Sequence, residues 1–196
     1  MANNSTSKTK TYALTFCGIC IAMNIVLGMI TSALGIPLYL DTLGTMLSGA
    51  ILGPVPGMIV GALSNIITGL MSSVTDIPFF LVNMVVGLIT GLVVKKTRYS
   101  ILVAIILGLC LAAICPAIGT PIGLYVYGGF NGSASDVLVM SLVEGGKSIF
   151  AASFLRNIAS NLVDKIGTAI VAWVLLKAMS QKLYANFGKE KFNIVG

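Results

Sequence analysis

The stretch ILVAIILGLCLAAICPAIGTPIGL, residues 101–124, carries no charged side chain and decides the fold class. About 20 apolar residues are enough for a helix to cross the roughly 30 Å hydrocarbon core of a bilayer. Further apolar runs cover residues 12–34, 38–53, 55–71, 77–94 and 166–176. Together these runs predict six transmembrane helices. Asp41 shortens the apolar part of the second run, so we expect a short or tilted helix there.

The composition excludes a soluble protein. The chain is 57% hydrophobic and 9% charged, whereas soluble domains are about half apolar and about a quarter charged. We therefore expect an all-α membrane protein, a compact helical bundle forming one domain over residues 1–196, with cytoplasmic tails at 1–10 and 183–196. The first span should remain in the mature protein, because residues 1–10 are polar and the following run is longer than the apolar core of a signal peptide.

The positions of the charges predict the orientation of the bundle. Most of the basic residues flank the predicted spans on one side: Lys8, Lys10, Lys95, Lys96, Arg98, Lys177, Lys182, Lys189 and Lys191. The opposite side receives Asp41, Asp76, Asp136, Glu144 and Asp164. Basic residues concentrate on the cytoplasmic side of membrane proteins. Both termini should therefore be cytoplasmic, and the net charge of +6 indicates contact with lipid headgroups rather than with nucleic acid.

Small residues recur at four-residue spacing within the predicted spans. The pairs are Gly18 with Ala22, Gly49 with Gly53, Gly57 with Gly61, Gly61 with Asn65, and Gly87 with Gly91. Such pairs allow helix backbones to approach closely in a membrane. The segment GPVPG, residues 53–57, should form a tight turn. Cys17 and Cys20 form a C-x-x-C pair inside an apolar span, which favours a structural role over redox or metal chemistry.

A long connection is expected on the external side, over residues 125–160. It begins with the loop sequence GGFNG, residues 128–132, and Ser133 or Ser135 could cap a short helix that ends at Glu144. A second apolar piece follows at 149–155. Loops of this length are usually functional, and its phenylalanines argue against disorder. We interpret it as a lid over an external site.

Polar residues at membrane depth are the candidates for function. On the last span, one helical face carries Asn157, Asn161, Asp164, Lys165 and Thr168. This face is either a surface that binds a small polar ligand, or one whose Asp164 and Lys165 extend to the headgroups. Asn83 favours ligand contact, and Asn65 favours helix packing. Tyr39, Asp41, Asp76, Tyr125 and Tyr127 surround the same mouth, although tyrosines there also form interfacial belts.

The sequence gives little support to an enzyme. It contains no histidine and none of the common catalytic or nucleotide-binding motifs, and we expect neither a metal nor a cofactor. It also lacks a chain of buried carboxylates that could couple transport to ions. A transporter built from this chain alone would have no evident energy source. The pattern therefore indicates a binding subunit that a partner drives.

Several segments carry a resemblance to a known family. They are IPLYLDTLGTM at 36–46, GAILGP at 49–54 with GMIVGALSN at 57–65, and IPFFLVN at 77–83, followed by the glycine-rich loop and NLVDK at 161–165. In order and spacing, these segments resemble the substrate-binding S components of energy-coupling factor (ECF) vitamin transporters, in particular the riboflavin-transporter-like group. The resemblance spans nearly the whole chain.

This resemblance implies a six-helix protein of the bacterial cytoplasmic membrane that binds a water-soluble vitamin externally. Its partners would be a membrane coupling protein and two cytoplasmic ATPases, with Gly18 and Ala22 at the coupling seam in place of the A-x-x-x-A pattern of the family. The implied binding residues are Tyr39, Asp41, Asn83, Asn157, Asn161 and Lys165, to which we add Tyr127 at the mouth.

The identity of the ligand stays open at this stage. Some relatives have proline where this chain has Val163, and a riboflavin-like, pyridoxine-like or hydroxymethylpyrimidine-like compound would fit a site of amides, tyrosines and one lysine. Two other functions remain as alternatives, a stand-alone membrane facilitator and the input module of a membrane sensor. The sensor is the less expected of these, because the chain ends soon after its last span.

Overall fold

The structure, a computed structural model, describes residues 2–34, 39–130, 132 and 135–196. Regular structure in these ranges is helical, and the one β-bridge they contain pairs Tyr99 with Val195. The predicted all-α fold is confirmed. The helices are α1 Ala2–Ala33, α2 Leu43–Leu52, α3 Pro54–Met71, α4 Phe80–Lys96, α5 Ile101–Tyr127, α6 Asp136–Glu144, α7 Ile149–Ala178, α8 Gln181–Asn186 and α9 Lys191–Ile194, with a 3-10 helix at Val74–Phe79 before α4.

Five segments of the described chain are long and apolar enough to cross a membrane: Lys8–Ala33, Pro54–Met71, Val74–Lys96, Ile101–Tyr127 and Ile149–Ala178. The predicted second span corresponds to α2, which has 10 residues. At 1.5 Å per residue, α2 covers about 15 Å, roughly half of a hydrocarbon core. A count of six crossing helices depends on α2, and it stays a prediction together with the orientation of the termini.

The connection between α5 and α7 is shorter than the sequence analysis predicted. The helix that contains the apolar run at 166–176 begins earlier than that run, at Ile149, where the Ser148 hydroxyl caps it by accepting the Ala151 N–H at 3.2 Å. With α5 ending at Tyr127, the connection covers residues 128–148 rather than 125–160. The predicted short helix is α6, which ends at Glu144 as expected.

The predicted tail at residues 1–10 and the predicted turn at 53–57 are both more helical than the sequence indicated. The predicted polar tail at residues 1–10 is helical from Ala2 onward and belongs to α1. Ser133 and the start of the second predicted span at residue 38 lie outside the described residues. The predicted turn at 53–57 is confined to Gly53, whose φ of 105° is a backbone angle that glycine adopts readily, and α3 begins at Pro54 directly after it.

Glycines bring α2, α3 and α4 into backbone contact. A Cβ atom added at Gly87 would lie 2.3 Å from the carbonyl carbon of Gly57, and one added at Gly57 would lie 2.8 Å from the Cα of Gly49. Similarly, a Cβ at Gly91 would lie 2.4 Å from the Cα of Pro54. The predicted close packing through small residues is therefore confirmed for these three helices. Gly108 has the same role between α5 and α7, where its Cβ would lie 2.6 Å from the Cα of Ile166.

Residues 179–196 fold back onto one end of the bundle, which we call the basic end. The Tyr99 N–H donates to the Ile194 carbonyl at 2.7 Å, and the Phe187 ring lies 5.1 Å from that of Phe16 on α1. The Lys191 ammonium donates to the Met179 carbonyl at 2.8 Å, next to the C-terminus of α7, where a cation is favourable. This segment therefore joins α1, α7 and the connection between α4 and α5.

Tyr99 and Tyr184 anchor this end through buried hydroxyl groups. The Tyr99 hydroxyl donates to the Ala169 carbonyl at 3.1 Å, and the Tyr184 hydroxyl donates to the Leu176 carbonyl at 2.8 Å. Burial raises the pKa of the Tyr184 hydroxyl to about 12, so it stays protonated as a donor at neutral pH. Both rings are fully buried.

Tyr99→Phe should lower the free energy of unfolding by about 1 kcal/mol, because it removes one buried hydrogen bond and keeps the ring. The measurement is denaturation of the purified protein in detergent. Tyr125→Phe is the control, since Tyr125 is 93% exposed near the opposite end of α5 and should change stability little. Equal effects of the two substitutions would contradict an anchoring role for the Tyr99 hydroxyl.

Candidate functional site

An ion pair lies inside the bundle on α7. The Lys165 ammonium is 2.7 Å from a carboxylate oxygen of Asp164, and the two side chains are 4% and 0% exposed. About 20 Å of helix separates Lys165 from Ala178, at 1.5 Å per residue. The alternative that these residues extend to the headgroups is wrong, because groups that reach the interface would be exposed. Charges at this depth require partners within the protein.

The other carboxylate oxygen of Asp164 holds the connection between α1 and α2. It accepts the backbone N–H groups of Tyr39 and Leu40, both at 2.9 Å. Leu40 has a φ of 47°, in the left-handed region that few non-glycine residues adopt. Irregular backbone at membrane depth is tolerated only where protein groups satisfy its hydrogen bonds. Because Asp164 accepts the hydrogen bonds of this backbone, α2 can start deep in the bundle instead of at its edge.

We call Asp164, Lys165 and the α1–α2 connection bound to them the inner cluster, and three polar residues extend it. The Lys165 ammonium also donates to the Thr42 hydroxyl at 3.2 Å. The Asn83 amide donates to the Asn65 side chain at 2.7 Å and to the Asp41 carbonyl at 3.3 Å. Asn83 thus joins α3, α4 and the α1–α2 connection. Asn65 bonds within the bundle as predicted for helix packing, and Asn83 shares that packing role.

Asp41 lies next to Lys165 without pairing with it directly. One of its carboxylate oxygens is buried and has no hydrogen-bond partner among the described residues. A buried acceptor of this kind is costly unless a donor reaches it. A hydrogen-bond donor of a bound molecule would satisfy it.

A second, outer cluster surrounds Asn157, about two helical turns before Lys165. The Asn157 amide donates to the Thr120 hydroxyl on α5 at 2.9 Å, and its carbonyl oxygen accepts from Arg156 at 3.2 and 3.3 Å. The Asn161 amide donates to the backbone carbonyl of Asn157 at 2.9 Å. Arg156 forms an ion pair with Asp136 of α6 at 2.6 Å. This cluster therefore links α5, α6 and α7.

Aromatic residues lie at the end of α5. The Tyr127 hydroxyl donates to the Asp76 carboxylate and accepts the Thr75 hydroxyl proton at 3.2 Å. The rings of Tyr127 and Phe79 are stacked, with centroids 6.2 Å apart and an angle of 19° between their planes. Tyr127 and Asp76 are thus brought together at this end of the bundle, which we call the aromatic mouth.

The structure divides the predicted site residues between these groups. The inner cluster contains Asp41, Asn83, Lys165 and the Tyr39 backbone. The outer cluster contains Asn157 and Asn161, and the aromatic mouth contains Tyr127. The buried Asp164, Lys165 and Thr168 confirm that the predicted α7 face points inward. Sequence reasoning did not single out Arg156, Thr42 or Thr120. The charge pattern could have indicated Arg156, since it is a basic residue on the side where acidic residues were expected.

The two residues predicted for partner coupling lie elsewhere. Gly18 and Ala22 are exposed on α1, and a Cβ atom added at Gly18 would meet nothing within 4 Å. An apolar groove between α1 and α3 includes Gly18, Cys17, Pro56 and Ile59. Cys17 and Cys20 are both free thiols. The small-residue surface is therefore open to a neighbour.

The model of one family, described as the ECF-type riboflavin transporter, S component, matches residues 8–181. The chain belongs to this family. No curated protein and no solved structure matches it. As an ECF S component, it is a multi-pass membrane protein of vitamin uptake, and its family comprises transporter components rather than enzymes.

The match covers α1 from Lys8 onward and the whole of each helix from α2 to α7 of the S component. Both polar clusters and the aromatic mouth therefore lie within the family region. The resemblance found in the sequence is confirmed.

Proposed function

We propose that this S component is the substrate-binding subunit of an ECF-type ABC importer for a small water-soluble vitamin, with riboflavin as the first candidate. The family match over residues 8–181 carries the proposal. The vitamin would bind between the α1–α2 connection, α4, α5 and α7, with Tyr39 and Tyr127 flanking it. The subunit would capture it outside the cell and reorient in the bilayer, so that ATP hydrolysis by the partners drives release.

The inner cluster supports a ligand with both donors and acceptors on one edge. An ammonium group has three N–H donors, and two of those on Lys165 meet Asp164 and Thr42. The third can meet a ligand carbonyl, while the buried oxygen of Asp41 can accept a ligand N–H. The ring edge of riboflavin alternates carbonyl oxygens with an N–H group. Asn83, which donates to the backbone carbonyl of Asp41, would then hold Asp41 in position.

The ligand can be identified directly from the protein. The S component is purified in detergent and denatured, and the small molecules released are analysed by mass spectrometry. Riboflavin titration is followed in parallel by quenching of its fluorescence. Release and saturable binding of riboflavin support the proposal, whereas release of a pyridoxine-like or hydroxymethylpyrimidine-like compound would reassign the substrate.

Asn157→Ala should weaken riboflavin binding about tenfold, because one hydrogen bond to a ligand contributes about 1 kcal/mol or slightly more. The dissociation constant from the fluorescence titration measures this. Asn193→Ala is the control, since Asn193 is an exposed asparagine at the basic end and should leave the affinity unchanged. Unchanged affinity in Asn157→Ala would remove this residue from the site.

The proposed partners are a membrane coupling protein and two cytoplasmic ATPases, with the exposed Gly18–Ala22 surface as the coupling seam. In the bacterial cytoplasmic membrane, the basic end with both termini would then face the cytoplasm. Co-purification of the tagged S component with these three partners supports the proposal. ATP-independent uptake of riboflavin by the pure chain in vesicles would instead favour a stand-alone facilitator.

A further inference from the structure

Arg156 connects α6 to the residue that is proposed to contact the ligand. Its guanidinium donates from one terminal nitrogen to the Asp136 carboxylate at 2.6 Å and to the Gly129 carbonyl at 3.4 Å. Its other two nitrogens donate to the carbonyl oxygen of the Asn157 side chain at 3.3 and 3.2 Å. Arg156 is 6% exposed, so these bonds form away from water.

The contact with Asp136 holds α6 against α7. The second carboxylate oxygen of Asp136 accepts the Gly132 N–H at 2.7 Å, and the Ser153 hydroxyl of α7 donates to the same Gly129 carbonyl as Arg156 at 3.2 Å. On α6 itself, Val139 is fully buried. A charge-assisted bond of this kind is roughly twice as strong as a neutral one. The start of α6 is thus tied to α7 through one guanidinium.

The contact with Asn157 determines which end of its amide faces the ligand. A guanidinium only donates hydrogen bonds, so the amide oxygen of Asn157 must face Arg156 and the NH₂ group must point away. One N–H of that group meets the Thr120 hydroxyl at 2.9 Å. The second N–H can be offered to an acceptor such as a carbonyl oxygen. Arg156 therefore orients the Asn157 amide so that its NH₂ group can donate to a ligand.

We infer that Arg156 is a positioning residue that joins two events, the docking of α6 on α7 and the orientation of Asn157 as a donor to a ligand acceptor. The inference rests on the proposed function for its second half, since only a bound vitamin would use the second N–H of the Asn157 amide. A lysine at this position could pair with Asp136. It could not also direct two donors at Asn157, because an ammonium lacks the planar fork of a guanidinium.

The experiment compares Arg156→Met, Arg156→Lys and Asp136→Asn in the full chain, purified in detergent. Hydrogen exchange of α6, residues 136–144, is measured without ligand, and riboflavin affinity is measured by fluorescence. Arg156→Met should speed α6 exchange about tenfold, corresponding to the loss of one charge-assisted contact, and should weaken riboflavin binding by a similar factor. Arg156→Lys should keep α6 protected from hydrogen exchange, but its affinity for riboflavin should still be weaker than that of the wild type. Asp136→Asn should speed the exchange and weaken binding less than Arg156→Met.

Lys147→Met is the matched control, because Lys147 is an exposed cation in the same connection. Unchanged α6 exchange in Arg156→Met would overturn the docking role. Wild-type affinity in Arg156→Lys, or equal affinity losses in Asp136→Asn and Arg156→Met, would overturn the orientation of Asn157. If the wild-type protein binds no riboflavin, the proposed substrate fails, while the exchange measurements still decide whether Arg156 docks α6.

Discussion

Asp164→Ala should lower the free energy of unfolding by about 3–5 kcal/mol, the usual cost of removing one partner from a buried ion pair. The substitution leaves the Lys165 ammonium, 4% exposed, without its carboxylate. It also removes the acceptor for the N–H groups of Tyr39 and Leu40, so the α1–α2 connection loses its attachment to α7. Vitamin binding should be lost with it, since that connection carries Asp41.

Thermal or denaturant unfolding of the purified S component measures the first effect, and riboflavin titration measures the second. Glu144→Ala is the control, because Glu144 is an exposed acid on α6 and its removal should change stability by no more than about 0.5 kcal/mol. Asp164→Asn should fall between them, since it keeps an acceptor for the backbone and loses the charge. A melting temperature of Asp164→Ala equal to the wild type would show that the ion pair does not hold the fold.

Gly87→Ala should destabilise the bundle by about 1–3 kcal/mol, the usual cost of inserting a methyl group into a packed interior. The added carbon would lie 2.3 Å from both the carbonyl carbon and oxygen of Gly57. Those are backbone atoms, which cannot move aside as the end of a flexible side chain can. The helices α3 and α4 must therefore separate, and Asn83, one turn before Gly87 on α4, moves with them.

Gly167→Ala provides the matched control on α7, because a Cβ atom there meets nothing within 4 Å. Alanine also favours a helix over glycine by about 1 kcal/mol, so this variant should be as stable as the wild type or more stable. Both variants are compared by unfolding in the same detergent. If Gly87→Ala proves as stable as Gly167→Ala, the helices do not pack as closely as these distances require.

The candidate site could be predicted in part from the sequence. Asparagines and charges inside or beside apolar runs are rare enough to stand out, so the sequence alone singled out Asn83, Asn157 and Lys165 as candidates. Their partners were not, because nothing local indicates that Lys165 pairs with its neighbour Asp164 rather than with a ligand or with headgroups. The same holds for Arg156, whose bond to Asp136 depends on where α6 docks.

The boundaries of α7 illustrate a different error. Polar residues between 156 and 165 interrupt the apolar pattern, and a hydropathy reading therefore starts the last span too late. The helix continues to Ile149 because those polar groups find partners on α5, α6 and the α1–α2 connection. Burial against protein, rather than against lipid, makes a polar helical face stable at that depth.

The sequence by itself determined the class of the protein and its helical fold, because apolar runs and small-residue spacing are local properties that sum along the chain. Its family was visible in the sequence as well, through the resemblance of segments such as 36–46 and 77–83. The tertiary structure alone decided how the site is built. It joined Asp164 to Tyr39 across 125 positions and to Leu40 across 124, and it tied Asn157 to Thr120 across 37. Contacts at such separations depend on how whole helices pack, and no local pattern encodes them.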